Sequence, residues 1–233
     1  MLSIIIPCFN EERIILESIK SVQNWVLENN CKAEILIVNN KSTDNTVKQI
    51  TKLNNQEQVF LLNEELKGKG AAVKKGLQNC NFNKVLILDA DLSTDISEFN
   101  LNWLREDTET LFIGSRSLGD EFRTPLRRVL TGKVFNFIVR KFLNLEFMDT
   151  QCGFKYINSM KIQKISELLT FTGFSYDVDL ILACKKLEIN IEEVPIKYFF
   201  NSHSSVSIIK DSVIMFWDIV KIKKKYKNFH LPK

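Results

Sequence analysis

The stretch Val85-Leu86-Ile87-Leu88-Asp89-Ala90-Asp91 decides the fold. Its four apolar, mostly branched residues predict a buried strand of a parallel sheet. Two carboxylates then follow at the carboxyl end of that strand, which is where open α/β sheets bind their ligands. Because carboxylate oxygens suit hard divalent cations, Asp89 and Asp91 are candidate ligands for Mg²⁺ or Mn²⁺. The alternative is structural, with Asp91 capping a helix that begins near 93–95.

Strand and helix patterns alternate on both sides of this stretch. Strands are predicted at 2–6 (ended by Pro7), 34–38, 59–62, 85–89 and 111–114. Helical spacing is predicted at 11–28, 42–53, 68–77 and 96–104. This alternation predicts an α/β fold with a mostly parallel, doubly wound sheet flanked by helices.

The pattern changes after Arg116. A Phe-rich helix is predicted at 125–147, strands at 155–157 and 192–198, and helices at 158–169, 176–187 and 205–225. We therefore expect one compact domain, 1–233, in which both halves share a sheet. Its parts are a nucleotide-sugar-binding half (1–118), an acceptor half (119–204) and a basic amphipathic C-terminal helix (205–233).

The composition excludes several classes of protein. The chain has 233 residues, of which 45% are hydrophobic and 26% charged, so it is globular rather than disordered. A net charge of +4 is too small to indicate a nucleic-acid partner. Five scattered cysteines without a Cys-x-x-Cys pair favour free thiols in a reducing compartment. We see no signal-peptide pattern and no apolar run of about 18 residues, so we expect neither secretion nor a membrane-spanning helix.

Three more loops fall at the same predicted edge of the sheet. They follow the first strand (7–12), the second strand (39–44) and the third strand (68–72). Such loops suit a base, a ribose or a diphosphate, although Asn10 as a helix cap and Lys69 as a solvated lysine are alternatives. The candidate nucleotide-sugar-binding residues are Pro7, Phe9, Glu11, Asn39, Asn40, Lys69, Asp89, Ala90 and Asp91.

Together these loops resemble inverting nucleotide-sugar glycosyltransferases of the Rossmann-like GT-A fold. Those enzymes carry Pro-x-Tyr/Phe-Asn-Glu, then Val-Asp-Asp-Gly-Ser-x-Asp, then Asp-x-Asp. This chain departs from the second motif, because Asn39, Asn40 and Lys41 replace Asp-Asp-Gly. An Asn side chain still forms hydrogen bonds but carries no charge. The departure leaves the base preference open, and it motivates an alternative from a different class, a non-catalytic nucleotide-sugar-binding or lipid-binding protein.

Four motifs from residue 114 onward narrow the resemblance. They are Gly114-Ser115-Arg116, the segment 149–155, the segment 174–180 and Glu193-Val194-Pro195-Ile196. The series is similar to the dolichyl-phosphate β-glucosyltransferase and polyprenyl-phosphate glycosyltransferase branch, and Gln-Cys-Gly-Phe-Lys at 151–155 is typical of the glucosyl type. The resemblance implies transfer of glucose from UDP-glucose to a polyprenyl phosphate. A GDP-mannose-dependent polyprenyl-phosphate mannosyltransferase, or transfer to another glycan acceptor, is the alternative.

The resemblance also implies roles for individual residues. A metal ion at Asp89 and Asp91 would neutralise the leaving diphosphate, while cations would position the acceptor phosphate. Asp177 is either a base or sugar-orienting group or a helix N-cap, and both interpretations remain open. The catalytic candidates are Asp91, Asp177 and Arg116. The acceptor-phosphate candidates are Arg116, Arg127, Arg128, Lys155 and His203.

A polyprenyl phosphate lies in a membrane, so the resemblance implies that the protein docks on one. Residues 129–147 are apolar on more than one helical face, and 208–226 combine apolar residues with a basic tail. The alternative is that both helices simply pack on the sheet. We expect a peripheral protein on the cytoplasmic face of a membrane.

Overall fold

A mostly parallel sheet forms the centre of the protein in the computed structural model, which describes residues 1–53, 58–122, 136–200 and 208–227. Its strands within those residues are β1 (Leu2–Cys8), β2 (Ala33–Asn39), β3 (Val59–Asn63), β4 (Lys84–Ile87), β5 (Thr110–Ser115), β7 (Lys155–Asn158) and β8 (Asn190–Pro195). Two short strands, β6 (Glu121–Phe122) and β9 (Tyr198–Phe199), pair with each other in parallel.

The strand order is β3-β2-β1-β4-β7-β5-β8. Every pairing in this sheet is parallel except those of β7, which runs antiparallel to both β4 and β5. Because β7 runs in the opposite direction, its first residue, Lys155, lies beside Ile87 at the last residue of β4. The start of β7 therefore reaches the edge at which the parallel strands end.

Helices cover both faces of the sheet. They are α1 (Ile15–Glu28), α2 (Thr46–Thr51), α3 (Lys69–Asn79), α4 (136–143), α5 (Ile162–Leu168), α6 (Tyr176–Lys186) and α7 (Ile208–Tyr226). Alternate residues of β4 point into two separate cores, Ile87 towards the helix face formed by α3 to α7 and Leu86 towards α1 and α2. Burial on both faces explains the continuous apolar strands, and the predicted α/β fold with its mostly parallel sheet is confirmed.

Several predicted element boundaries are wrong for local reasons. The first strand does not end at Pro7 but continues to Cys8. The pairing of β1 with β4 ends at Ile5, before Pro7. The N–H that proline lacks therefore costs no hydrogen bond between these two strands. The first helix begins at Ile15 rather than 11, and Asn10 is not its cap. Asn10 instead has a φ of 57° and bonds to the loop after β2.

The predicted helix at 96–104 is two short 3₁₀ turns, Ile96–Glu98 and Leu101–Arg105. Asp95 and Asn100 each accept a hydrogen bond from the backbone N–H two residues later, so each begins a new turn. The Phe-rich helix ends at residue 143, because Asn144 has a left-handed φ of 54°. The predicted strand 192–198 is likewise divided into β8 and β9.

Candidate functional site

The centre of the site is an ion pair between Lys69, the first residue of α3, and Asp89, just beyond β4. The Lys69 side chain is 18% exposed and that of Asp89 34%. Burial opposes the charge of Asp89, but the charge and hydrogen bond of Lys69, together with the charges of Lys155 and Arg116, hold the pKa of Asp89 below its ordinary value. Lys69 is therefore not the solvated lysine of the alternative interpretation.

Two glycines set the position of Lys69. A side chain on Gly68 would overlap the carbonyl of Thr172, and one on Gly70 would overlap the carbonyl of Phe171. Gly68 also has a φ of 124°, which other residues rarely adopt. The start of α3 therefore packs directly against the loop before α6, which brings Lys69 to Asp89.

Asp91 lies beside this pair and lacks such a counter-ion. Its Oδ1 accepts the backbone N–H of Ser93 at 3.0 Å. Burial and the negative charge of Asp89 raise the pKa of Asp91. The capping alternative for Asp91 is wrong, because the turn that follows is capped by Asp95. Asp91 is thus a carboxylate whose charge Ser93 and Lys69 compensate only in part.

Glu11 adds a further carboxyl group to the same edge. Burial, Asp91, Asp44 and Asp89, in that order of effect, raise the pKa of Glu11 to about 7. Its backbone N–H donates to Thr46 Oγ1 at 2.8 Å, which ties the loop after β1 to the start of α2. Near neutral pH this acidic group changes its charge beside Asp91.

The loops after β1 and β2 hold each other in place. Asn10 Oδ1 accepts the Thr43 N–H at 2.8 Å, and the Glu12 N–H donates to Asp44 Oδ2 at 3.2 Å. In the loop after β2, Asn39 Oδ1 accepts the Ser42 N–H at 3.1 Å. These two loops form one cross-linked unit at the sheet edge, as their positions after neighbouring strands predict.

Both amides of the Asn39-Asn40 pair are buried and bonded within the protein. Asn39 Nδ2 donates to Asn63 Oδ1 at 2.9 Å, directly across β2 and β3. Asn40 Nδ2 donates to the Leu66 carbonyl at 2.7 Å, and its Oδ1 accepts the Gly68 N–H at 2.6 Å. These side chains shape the loop that begins α3, a role that the sequence does not reveal.

The other nucleotide-sugar candidates lie around the same edge. Pro7 and Ala90 are buried, with Pro7 in β1 and Ala90 between the two carboxylates. Phe9 is half-buried, and the Lys67 ammonium lies 5.5 Å from the centre of its ring. The nine candidate positions thus lie at the carboxyl ends of β1, β2 and β4 and at the start of α3, along one edge of the sheet.

Lys155 and Asp177 form a second ion pair near the first. Both side chains are essentially inaccessible, at 0% and 3% exposure, and Lys155 also donates to the Cys152 carbonyl. The ring centre of Tyr176 lies close to both lysines, 5.7 Å from Lys69 Nζ and 5.9 Å from Lys155 Nζ. Asp177 does not cap α6, since Ser175 occupies the N-cap position. In this arrangement Asp177 is the counter-ion of Lys155.

Arg116 forms a third pair, with Asp149. Its Nε and Nη2 donate to the two carboxylate oxygens at 2.6 and 2.9 Å, and the guanidinium lies 5.2 Å from the ring centre of Tyr198. The backbone N–H of Asp149 donates in turn to Glu193 at 2.6 Å. Asp149 and Glu193 were not among the candidates, although both stand in the motifs at 149–155 and 193–196. Arg127, Arg128 and His203 lie outside the described residues.

A divalent cation fits this donor set. The described residues contain no group of three or more His, Cys, Asp or Glu side chains arranged to hold a metal ion. Asp89 and Asp91 alone suit Mg²⁺ or Mn²⁺, which bind through one or two carboxylates and take their remaining ligands from water and phosphate. The raised pKa of Asp91 marks a carboxylate that a cation would stabilise in its charged form.

Comparison with known proteins identifies a family and several related sequences. The model of glycosyl transferase family 2 matches residues 3–166. A dolichyl-phosphate beta-glucosyltransferase of Saccharomyces cerevisiae is 29% identical over 97% of this chain and 75% of its own length. The protein of that name from Dictyostelium discoideum is 28% identical, over 97% of this chain and 74% of its own length.

A solved structure shares the fold. It is glucosyl-3-phosphoglycerate synthase from Mycobacterium tuberculosis in complex with Mn²⁺, UDP and glucosyl-3-phosphoglycerate, with a TM-score of 0.71 and 15% identity. The match covers 100% of this chain and 81% of that one. The family model spans most of the sheet and its site, so the chain belongs to glycosyl transferase family 2.

Proposed function

We propose that the protein transfers glucose from UDP-glucose to a polyprenyl phosphate, with inversion at the anomeric carbon, at a membrane surface. This proposal rests on one observation. Asp89, Asp91 and Lys69 lie together with the segment 151–155 at one edge of the sheet. The names of the yeast and Dictyostelium relatives support glucose as the transferred sugar and a lipid phosphate as the acceptor.

On the donor side, we assign Asp89 and Asp91 to a divalent cation, which when bound would supply positive charge to the leaving diphosphate. Lys69 adds a positive charge fixed at the same edge, and its ion pair keeps Asp89 ionised. The loops that carry Phe9 and Asn40 would enclose the nucleoside. Because these loops are cross-linked to each other, they are set before the donor arrives.

On the acceptor side, the bond from the anomeric carbon to the diphosphate oxygen breaks while a bond to an acceptor phosphate oxygen forms. That oxygen is already ionised near neutral pH, so no residue has to remove a proton. The pairing of Asp177 with Lys155 is compatible with such a reaction. Asp149 fixes two guanidinium nitrogens of Arg116, and we assign the third to the acceptor phosphate.

A membrane-facing surface would present the lipid to this site. Residues Met215, Ile219, Ile222 and Tyr226 of α7 are buried, whereas Ile214, Phe216 and Trp217 are exposed on its other side. Exposed lysines follow at 221, 223, 224 and 227. Lys223 lies 4.0 Å from the ring centre of Phe142 on α4, which itself exposes Phe137 and Ile138.

Apolar side chains beside lysines suit the interface of an anionic bilayer, where each lysine contributes about 1 kcal/mol. None of the described helices is both long and apolar enough to cross a membrane. We therefore propose that α4 and α7 rest on the bilayer as a peripheral surface.

A donor screen tests the proposed reaction. Purified protein is incubated with polyprenyl phosphate in detergent, with Mg²⁺ or Mn²⁺, and with radiolabelled UDP-glucose, UDP-galactose or GDP-mannose. We expect label from UDP-glucose in the organic phase, and loss of transfer when the cation is chelated. Transfer from GDP-mannose alone would establish the mannosyl alternative. Folded protein that binds UDP but transfers no sugar would overturn the enzymatic proposal in favour of a binding protein.

A further inference from the structure

Gly153 faces Asp89 across two antiparallel strands. The register of β4 and β7 pairs Lys84 with Asn158 and Ile87 with Lys155. Two residues beyond that last pair, Asp89 and Gly153 lie opposite each other, just past the end of the ladder. Side chains at such facing positions share one face of the sheet.

The Asp89 carboxylate occupies the space that a side chain on residue 153 would fill. A Cβ added to Gly153 would overlap Oδ2 and Cγ of Asp89 and would lie 2.7 Å from Oδ1. Gly153 does not have a positive φ, so its backbone conformation is open to other residues. Space for the carboxylate, rather than backbone freedom, is what requires glycine here.

The carboxylate is held from the other side by Lys69. Oδ1 pairs with the Lys69 ammonium, while Oδ2 lies over the Cα of Gly153. The side chain is thereby confined between the first residue of α3 and the start of β7. A carboxylate confined in this way keeps one orientation, as a supporting contact does for a metal ligand.

We propose that Gly153 is a positioning residue for Asp89. The missing side chain lets the Asp89 carboxylate lie across the start of β7, where it meets Lys69 and stands beside Asp91. The part of this inference that concerns cation and diphosphate binding rests on the proposed function. It assigns a physical role to the glycine of Gln-Cys-Gly-Phe-Lys, separate from the ion pair that Lys155 makes.

The test compares Gly153→Ala with Gly76→Ala. A side chain on Gly76 would collide with Ile5 in the core, so this control has a similar steric defect away from the carboxylates. Binding of Mn²⁺ in the presence of UDP is followed by the loss of the free-Mn²⁺ electron paramagnetic resonance signal. For Gly153→Ala we expect affinity to fall about 10-fold to 100-fold, as when a supporting contact of a metal ligand is lost. Gly76→Ala should lower the unfolding midpoint and leave Mn²⁺ affinity unchanged.

A double-mutant cycle with Asp89→Ala separates positioning from general damage. Once the carboxylate is absent, the methyl group added by Gly153→Ala has nothing to displace, so this substitution should be less destabilising than in the wild-type background. An unchanged Mn²⁺ affinity in folded Gly153→Ala, or equal unfolding effects in both backgrounds, would overturn the proposal. If the wild-type protein bound no Mn²⁺ with UDP, the cation assignment would fail. Even then, a destabilisation by Gly153→Ala that is smaller in the Asp89→Ala background would support the contact between Gly153 and Asp89.

Discussion

Asn40 fixes Gly68 at the start of α3 through a hydrogen bond of 2.6 Å from the Gly68 N–H to Asn40 Oδ1. The Nδ2 of the same side chain donates to the Leu66 carbonyl at 2.7 Å. One partner can only donate and the other can only accept, so a neutral amide satisfies both and a carboxylate does not. The replacement of an expected Asp by Asn40 therefore has a structural reason in this loop.

Asn40→Asp should destabilise the protein near neutral pH. A carboxylate would face the Leu66 carbonyl oxygen, and a buried group left without its partner costs about 1–3 kcal/mol. Urea unfolding would measure the loss of unfolding free energy. Asn102→Asp adds the same charge at an exposed position and should be nearly neutral. Equal stabilities of the two variants would contradict the role assigned to Asn40.

Glu11 should make stability depend on pH. Its pKa is about 7 in the folded protein, against an ordinary value of 4.5. Between these values the unfolded chain releases the proton while the folded protein keeps it, so the free energy of unfolding falls as pH rises. At pH values above the pKa of Glu11 in the folded protein, Glu11 no longer lowers the free energy of unfolding further.

Glu11→Gln removes this titration. Unfolding in buffer free of divalent cations, at pH values from about 5 to about 8, should show a smaller decline for the variant than for the wild type. Glu17→Gln is the control, because Glu17 is exposed in the first turn of α1 and is not among the groups that raise the pKa of Glu11. A parallel pH dependence of wild type and Glu11→Gln would refute the prediction.

The sequence predicts which residues reach the site edge better than it predicts how they pair. Burial on both faces of the sheet produces the apolar strands, and parallel strands necessarily end at one edge, so Asp89 and Asn39 could be placed together. The ion pair of Lys155 with Asp177 depends on β7 entering the sheet antiparallel. Hydrophobic periodicity specifies neither strand direction nor order, so this partner could not be predicted.

Hydrogen bonds between side chains and the backbone explain why some helix boundaries differ from those predicted. Asp95 and Asn100 begin separate 3₁₀ turns where apolar spacing predicts one helix, because their side chains compete for the N–H groups that helix formation would use. Likewise, the amides of Asn39 and Asn40 look like nucleotide ligands in sequence. Their internal partners, Asn63 and Gly68, appear only when β3 and α3 are in place.

Asp91→Asn should weaken cation binding without weakening the fold. Burial and Asp89 disfavour the charged form of Asp91, as its raised pKa indicates, so a neutral amide relieves repulsion. We expect an equal or higher unfolding midpoint and a loss of Mn²⁺ binding in the presence of UDP. Asp95→Asn, which changes a capping residue, should keep Mn²⁺ affinity. Undiminished Mn²⁺ affinity in Asp91→Asn would exclude Asp91 as a ligand.

Serine at both Phe216 and Trp217 should reduce binding to vesicles that contain anionic lipid. Both side chains are exposed on α7, at 48% and 61%, so their replacement should leave the fold intact. Co-sedimentation with liposomes measures the effect. Met160→Ser is the matched control, since Met160 is 78% exposed but follows the end of β7 that is remote from the site. Equal sedimentation of all three proteins would contradict docking through α7.

Asp179 anchors α7 to α6 and should be the most sensitive of these positions for stability. Its buried carboxylate accepts hydrogen bonds from Lys225 Nζ at 2.6 Å, Tyr226 Oη at 2.9 Å and the Thr170 N–H at 2.8 Å. Asp179→Ala removes all three at once and leaves a partly buried ammonium without its counter-ion. A loss of about 3–5 kcal/mol in unfolding free energy is expected when one member of such a pair is removed.

Lys225→Met should cost less than Asp179→Ala, because the carboxylate keeps its Tyr226 and Thr170 partners and burial already lowers the pKa of Lys225. Lys221→Met, at a side chain that is 70% exposed, should have almost no effect. Guanidinium unfolding gives this order, and hydrogen exchange should be faster in α7 than in β1 for Asp179→Ala. If Asp179→Ala were no less stable than Lys221→Met, the carboxylate would not be what holds α7 against the helix that carries Tyr176 into the site.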